Sequence, residues 1–161
     1  MKDQRRGRRI ALSPEERDGF LTQARTCRVA TISSSGPHVS PLWFLWHDES
    51  IWLYSITSSR RFTDLQRDPR VAIVVDDGHG YEELRGVEIT GTARIVGEVP
   101  RTGDLAVAEL DPVEKAYAAK YQGRETLAYD GRHAWLAVDV EKIVSWDFRK
   151  LSEVASGARS N

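Results

Sequence analysis

Pro41-Leu42-Trp43-Phe44-Leu45-Trp46-His47, a polar turn at Asp48-Glu49-Ser50, and Ile51-Trp52-Leu53-Tyr54-Ser55 together decide the fold. Side chains alternate between faces along a strand, so Leu42, Phe44 and Trp46 share one face and Trp43 and Leu45 the other. In the return strand Ile51 and Leu53 oppose Trp52 and Tyr54. The stretch reads as a hairpin, with the first strand beginning at His38, and it is apolar on both faces. Two apolar faces predict a barrel wall whose outside is covered by a helix, a partner subunit or a flat ligand.

Upstream, Arg28 to Ile32 is a short β-favouring run, and Ser33-Ser34-Ser35-Gly36-Pro37 is turn chemistry. Ser13-Pro14-Glu15-Glu16 starts a helix running to about Ala24: a Ser cap, Pro at the first helical position and a Glu that completes a capping box. Phe20 and Leu21 are its apolar anchors. Downstream, Ser58 to Arg67 reads as a short capped helix stopped by Asp68-Pro69. Arg70 to Asp76 is a central strand, Asp77-Gly78-His79-Gly80 a loop, and Val87 to Ile95 a long strand that Gly91 should bend or bulge. Asp104 to Tyr121 reads as helix in two pieces broken near Asp111-Pro112, Gln122 to Arg132 as a polar loop, and His133–Val140 and Lys142–Phe148 as two final strands. Hairpins dominate and no βαβ series appears, so the expected fold is mainly β: an antiparallel barrel with appended helices. Residues 1–11 read as a flexible basic arm, 12–150 as the barrel domain and 151–161 as a polar tail.

Composition narrows the function. The chain has 161 residues, 40% hydrophobic and 29% charged, with a formal net charge of -1, which suits one soluble domain and lacks the basic excess of a nucleic-acid surface. One cysteine, Cys27, excludes a disulfide framework or a Cys-rich zinc site and is expected to be a small buried hydrophobe. No apolar run is long enough to span a bilayer, and the charged start does not resemble a signal peptide, so the expected location is cytoplasmic, with no membrane and no nucleic-acid partner. His38, His47, His79 and His133 lack ligand spacing, so no metal is expected.

The strongest local signal for chemistry is Ser58-Ser59-Arg60-Arg61 at a helix start. Free N–H groups and the positive dipole end favour an anion there, and an Arg fork matches phosphate oxygens. The competing reading is a capped surface helix carrying two solvated arginines. No P-loop or dinucleotide fingerprint is present. Tyr54, Tyr129 and His133 are possible proton donors or structural residues, and no catalytic residue is assigned.

With these elements in place the chain resembles the pyridoxamine 5'-phosphate oxidase-like split β-barrel superfamily, within it the short flavin/deazaflavin oxidoreductases that use coenzyme F420. The resemblance spans about residues 12–150 and rests on Arg28-Val29-Ala30-Thr31, Gly36 to Phe44, Ser59-Arg60-Arg61, Asp64 to Val71, Val87 to Ala93 and Val144 to Phe148. It implies a homodimer holding its cofactor, F420 or alternatively FMN, in a groove at the interface. The ring would lie against Val39, Ser40, Pro41 and Trp43 and against Ser55, Ile56 and Thr57; the phosphate would meet Ser59, Arg60 and Arg61. Tyr81 would reach across the dimer, and Arg5, Arg6, Arg8 and Arg9 would meet the longer F420 tail. The family often has Lys where this chain has Arg61; Arg keeps the charge and adds a fork. Longer members carry a basic C-terminal segment for pyridoxal phosphate that is not expected here. The implied activity is hydride transfer between the deazaflavin and an unsaturated organic substrate. The alternatives are an FMN-dependent oxidase or reductase and a non-catalytic flavin, haem or tetrapyrrole carrier. Arg61 is expected to be exposed, with few core contacts.

Overall fold

The central hairpin forms as its sequence predicts. β2 (Gly36–His47) and β3 (Ser50–Ile56) are joined by Asp48 and Glu49, both at positive φ (50° and 53°). Two consecutive left-handed residues give the turn whose twist matches that of the flanking strands. The computed structural model describes Gln4 and residues 7–151. The polar tail beyond 151, together with Arg5 and Arg6, lies outside the described residues.

The other strands are β1 (Thr26–Ser33), β4 (Arg70–Asp77), β5 (Arg85–Val96) and β6 (His133–Asp147). They close into an antiparallel barrel in the order β1-β2-β3-β6-β5-β4. β4 returns to β1 through Arg28↔Val74, Val29↔Ile73 and Ala30↔Ala72. The barrel interior is filled by Val29, Phe44, Ile51, Leu53, Ile73, Ile89 and Leu136. The helices are α1 (Pro14–Gln23), α2 (Arg60–Arg67) and α3 (Leu110–Tyr117). α1 carries the predicted capping box, Ser13 N donating to Glu16 Oε2 (2.7 Å) and Glu16 N to Ser13 Oγ (3.2 Å). Its anchors Phe20 and Leu21 join the barrel core.

Two readings need correction. The two final strands are one strand of 15 residues, because Glu141 is absorbed as a register shift opposite Thr90 and Gly91 rather than by a turn. Gly91 is needed there, since a Cβ would collide with the Asp139 carbonyl. Residues 104–109 are not helical, and α3 begins at Leu110 with Pro112 inside its first turn, where a missing N–H costs nothing. Of the covers expected for the outer face of the hairpin, a helix serves over β3 and the end of β2. α3 and the segment after it lay Leu110, Val113, Tyr117, Ala118 and Leu127 over Leu45, Trp52, Tyr54, Trp135 and Ala137. No partner is needed for that half.

The barrel is split on one side. Only Phe44 to His47 of β2 pair with β3, while 36–43 pair with β1 alone. Across the gap, Tyr54, Ser55 and Ile56 pair with β6. Two strand edges therefore face each other without a ladder between them.

Candidate functional site

The base of this cleft is built by α2. Ser59 is its cap, with Oγ accepting from Phe62 N at 3.2 Å. Arg61, Phe62, Asp64 and Leu65 form the buried stripe of the helix. Phe62 and Leu65 drive that stripe into the barrel mouth, and Arg61, one turn before Leu65, is carried in with them. Arg61 is thus 6% exposed, which corrects the expectation of a solvated arginine. Its position beside two large hydrophobes at helical spacing was the signal for this.

The guanidinium bridges the two edges of the split. Nη1 donates to Ser40 Oγ of β2 at 2.5 Å, and Nη2 donates to Ser55 Oγ of β3 at 3.3 Å. Nε is buried and has no acceptor. Burial pulls the Arg61 pKa below its ordinary value, and no carboxylate among the described residues offsets this. The nearest acid on the helix, buried Asp64, faces elsewhere: it accepts from Thr31 Oγ1 at 2.9 Å and lies 3.6 Å from both His38 Nδ1 and Arg67 Nη2. Arg60 points to the rim, where Nη2 donates to Ser33 Oγ (3.0 Å) and Ser35 Oγ. The cleft thus carries the Arg61 guanidinium with Ser40 and Ser55 at its base, Arg60 with Ser33 and Ser35 at its rim, and the Ser59-capped N-terminus of α2 between them in sequence. A cation taken out of water without a counter-charge is costly, and an anion seated there recovers the cost. The orphaned Nε and the serine hydroxyls beside the two guanidinium groups are donors of the kind a phosphate group takes.

The structure brings most of the predicted residues together. Val39, Ser40, Pro41 and Trp43 line one edge of the split, and Ser55, Ile56 and Thr57 the other, with Ser59, Arg60 and Arg61 at the base. Val39 is 64% exposed and Trp43 47%, both on the outer face of β2. Thr57 N donates to Arg132 O at 2.9 Å, tying that edge to the loop before β6. Tyr81 is not part of this cluster. It sits in the turn between β4 and β5, at the end of the barrel away from α2, with its ring 5.0 Å from Phe148. Arg8 and Arg9 belong to a short turn at that same far end, where the Gln4 side chain bonds the Ser145 backbone. Sequence reading missed Ser33 and Ser35 as Arg60 partners, because turn chemistry alone accounts for them. No group of three or more His, Cys, Asp and Glu among the described residues is placed to hold a metal ion, and no described helix is long and apolar enough to cross a membrane.

A comparison with curated proteins finds no match. Among solved structures, a conserved hypothetical protein from Mycobacterium tuberculosis is 31% identical with a TM-score of 0.77, covering 94% of this chain and 93% of that one. An FAD-binding protein from Mesorhizobium loti (20% identical, TM-score 0.63, 84% and 94% covered) and an F420 reductase (22%, 0.59, 82% and 98%) share the fold. Residues 13–147 match the pyridoxamine 5'-phosphate oxidase family. With the split barrel and that match over most of its length, this chain belongs to the pyridoxamine 5'-phosphate oxidase family.

Proposed function

We propose that the chain is an oxidoreductase that binds a phosphate-bearing flavin-type cofactor in the split between β2 and β3, with coenzyme F420 as the cofactor and an unsaturated small organic molecule as substrate. The observation that carries this is Arg61: a buried guanidinium at the cleft base, held by two serine hydroxyls, with Nε unpaired and no carboxylate beside it. Arg61 and Arg60 bind the phosphate, and the unladdered edges at 39–43 and 55–57 orient the ring. The cofactor supplies the redox chemistry when bound, and the chain supplies binding, orientation and a dry site. The exposed apolar strip of Ile32, Val39 and Trp43 supports a homodimer that closes the groove from outside. FMN is the alternative cofactor, supported by two arginines and serine hydroxyls that suit a single terminal phosphate.

The test is to titrate the protein with F420, FMN and inorganic phosphate, following intrinsic fluorescence and the thermal midpoint. Arg61→Met removes a charged donor and should weaken cofactor binding by about 10- to 150-fold. The same change removes an uncompensated buried cation, so the ligand-free variant should melt at or above the wild-type midpoint. Loss of both binding and stability would make Arg61 a packing residue, and cofactor affinity equal to wild type would overturn the reading.

A further inference from the structure

α3 does not end in an ordinary cap. It runs into a π-helical turn, Ala118–Gln122, before Gly123 at φ 63° stops it. Such turns widen the helix by one residue and concentrate at functional sites. Here the turn delivers Tyr121 to the corner where β2 parts from β3. The Tyr121 hydroxyl lies 2.6 Å from the Phe44 carbonyl and 2.8 Å from the Arg25 carbonyl, positioned to donate, and accepts from Phe44 N at 3.3 Å. Phe44 is the first residue of β2 that pairs with β3, so this hydroxyl sits at the closed end of the split.

The ring of Tyr121 lies flat on Trp43, with centroids 4.7 Å apart and planes 12° from parallel. The Arg25 guanidinium packs 4.8 Å from the Tyr121 ring and 5.6 Å from the Trp43 ring, and its Nη1 donates to Lys120 O at 3.2 Å. Lys120 Nζ in turn donates to Ala24 O at 2.5 Å. Trp43 is held by this assembly while 47% of it stays exposed at the cleft edge. A large aromatic fixed in one orientation yet left half in water is a preformed wall for a flat partner.

We propose that Tyr121 is a positioning residue: it sets the Trp43 indole as a wall of the ring site, against which a planar conjugated ring stacks. Tyr121 acts through Trp43 and touches no ligand. This rests on the cofactor reading above, and the test separates the two. Protein carrying 5-fluorotryptophan is prepared as wild type, Tyr121→Phe, Tyr121→Leu and Trp43→Leu, the last identifying the Trp43 fluorine line. Riboflavin probes the ring site without a phosphate, and inorganic phosphate probes the Arg61 cradle without a ring. In Tyr121→Leu the Trp43 line should broaden or split while those of Trp46, Trp52, Trp135 and Trp146 stay sharp. Riboflavin binding should weaken about 2- to 13-fold, the range of an aromatic pair, with phosphate affinity unchanged. Tyr121→Phe, which keeps the stack, should restore both the sharp line and riboflavin affinity. A sharp Trp43 line in Tyr121→Leu, wild-type riboflavin affinity in that variant, or an equal loss of phosphate affinity would each overturn the proposal. Wild-type protein that binds phosphate but neither riboflavin nor F420 would overturn the cofactor reading as well.

Discussion

The outer wall of the barrel has two apolar halves that meet different fates. Over β3 and the end of β2, the side chains of Leu45, Trp52 and Tyr54 are 6%, 4% and 5% exposed, sealed by α3. Over the first part of β2 and the end of β1, Ile32, Val39 and Trp43 are 43%, 64% and 47% exposed. Both halves carry the same kind of residue at the same strand spacing. The difference is what lies opposite. The sealed half is held by a polar lock as well as by apolar contact: Glu114 on α3 accepts from Arg101 Nε (2.7 Å), Tyr129 OH (2.7 Å) and Trp135 Nε1 (3.1 Å). The bare half has the Tyr121–Arg25 assembly at its border and no helix laid over it among the described residues. One half is thus finished by folding, and the other stays open as the face that the proposed dimer and cofactor would cover.

The largest expected effect breaks the sealed half. Glu114→Ala leaves the Arg101 guanidinium, 4% exposed at its side chain, without its main counter-charge. It also leaves the Trp135 and Tyr129 donors without acceptors. Removing one partner of a buried pair costs about 3–5 kcal/mol, so the urea midpoint should fall steeply. A drop below about 1 kcal/mol would show that apolar cover alone seals this half.

On the bare half the outcome should be the opposite. Val39→Asp should change the stability of an isolated protomer by no more than about 0.5 kcal/mol, as for other exposed positions. It should dissolve the proposed dimer in sedimentation experiments at micromolar concentration. A Val39→Asp protein that unfolds, or that associates like wild type, would erase the contrast between the halves.

The remaining effect lies at the border and is read as a pH dependence. Burial pulls the Lys120 pKa down to about 8, and the nearby Arg25 charge adds to this. Between about pH 8 and the ordinary lysine value of 10.5, the unfolded chain holds a proton that the folded chain has released. Stability attributable to Lys120 therefore rises with pH across that window. Cys27 works in the other sense: burial pushes its thiol up to about 12, so its contribution falls as pH rises above 9.0. The clean measurement is the difference between wild type and Lys120→Met, which should move in favour of wild type from pH 8 to 10.5 by chemical denaturation. A difference independent of pH would mean that Lys120 is solvated, and that the border of the sealed half is open.

How much of this was legible depended on the range of the interaction involved. The hairpin, the α1 capping box and the α2 cap rest on residues within a few positions of one another, and the chain shows them directly. The need for a bulge at Gly91 was local in the same way. The apolar alternation on both faces of residues 41–55 told that two covers were required, because that count depends only on strand periodicity.

Which cover goes where was decided by the tertiary structure. α3 reaches Trp52 and Trp135 from distant stretches of chain, and Pro112 marks where it starts rather than where it breaks. The joining of the last two strands depended on Glu141 bulging against a different strand. The neighbours of Arg61 in sequence suggested an anion ligand, the role proposed for it above. Its burial between Ser40 and Ser55, and the orphaned Nε that results, exist only once β2 and β3 have parted around it. Periodicity is a property of a segment, whereas desolvation is a property of everything packed around it, and only the folded chain brings those surroundings together.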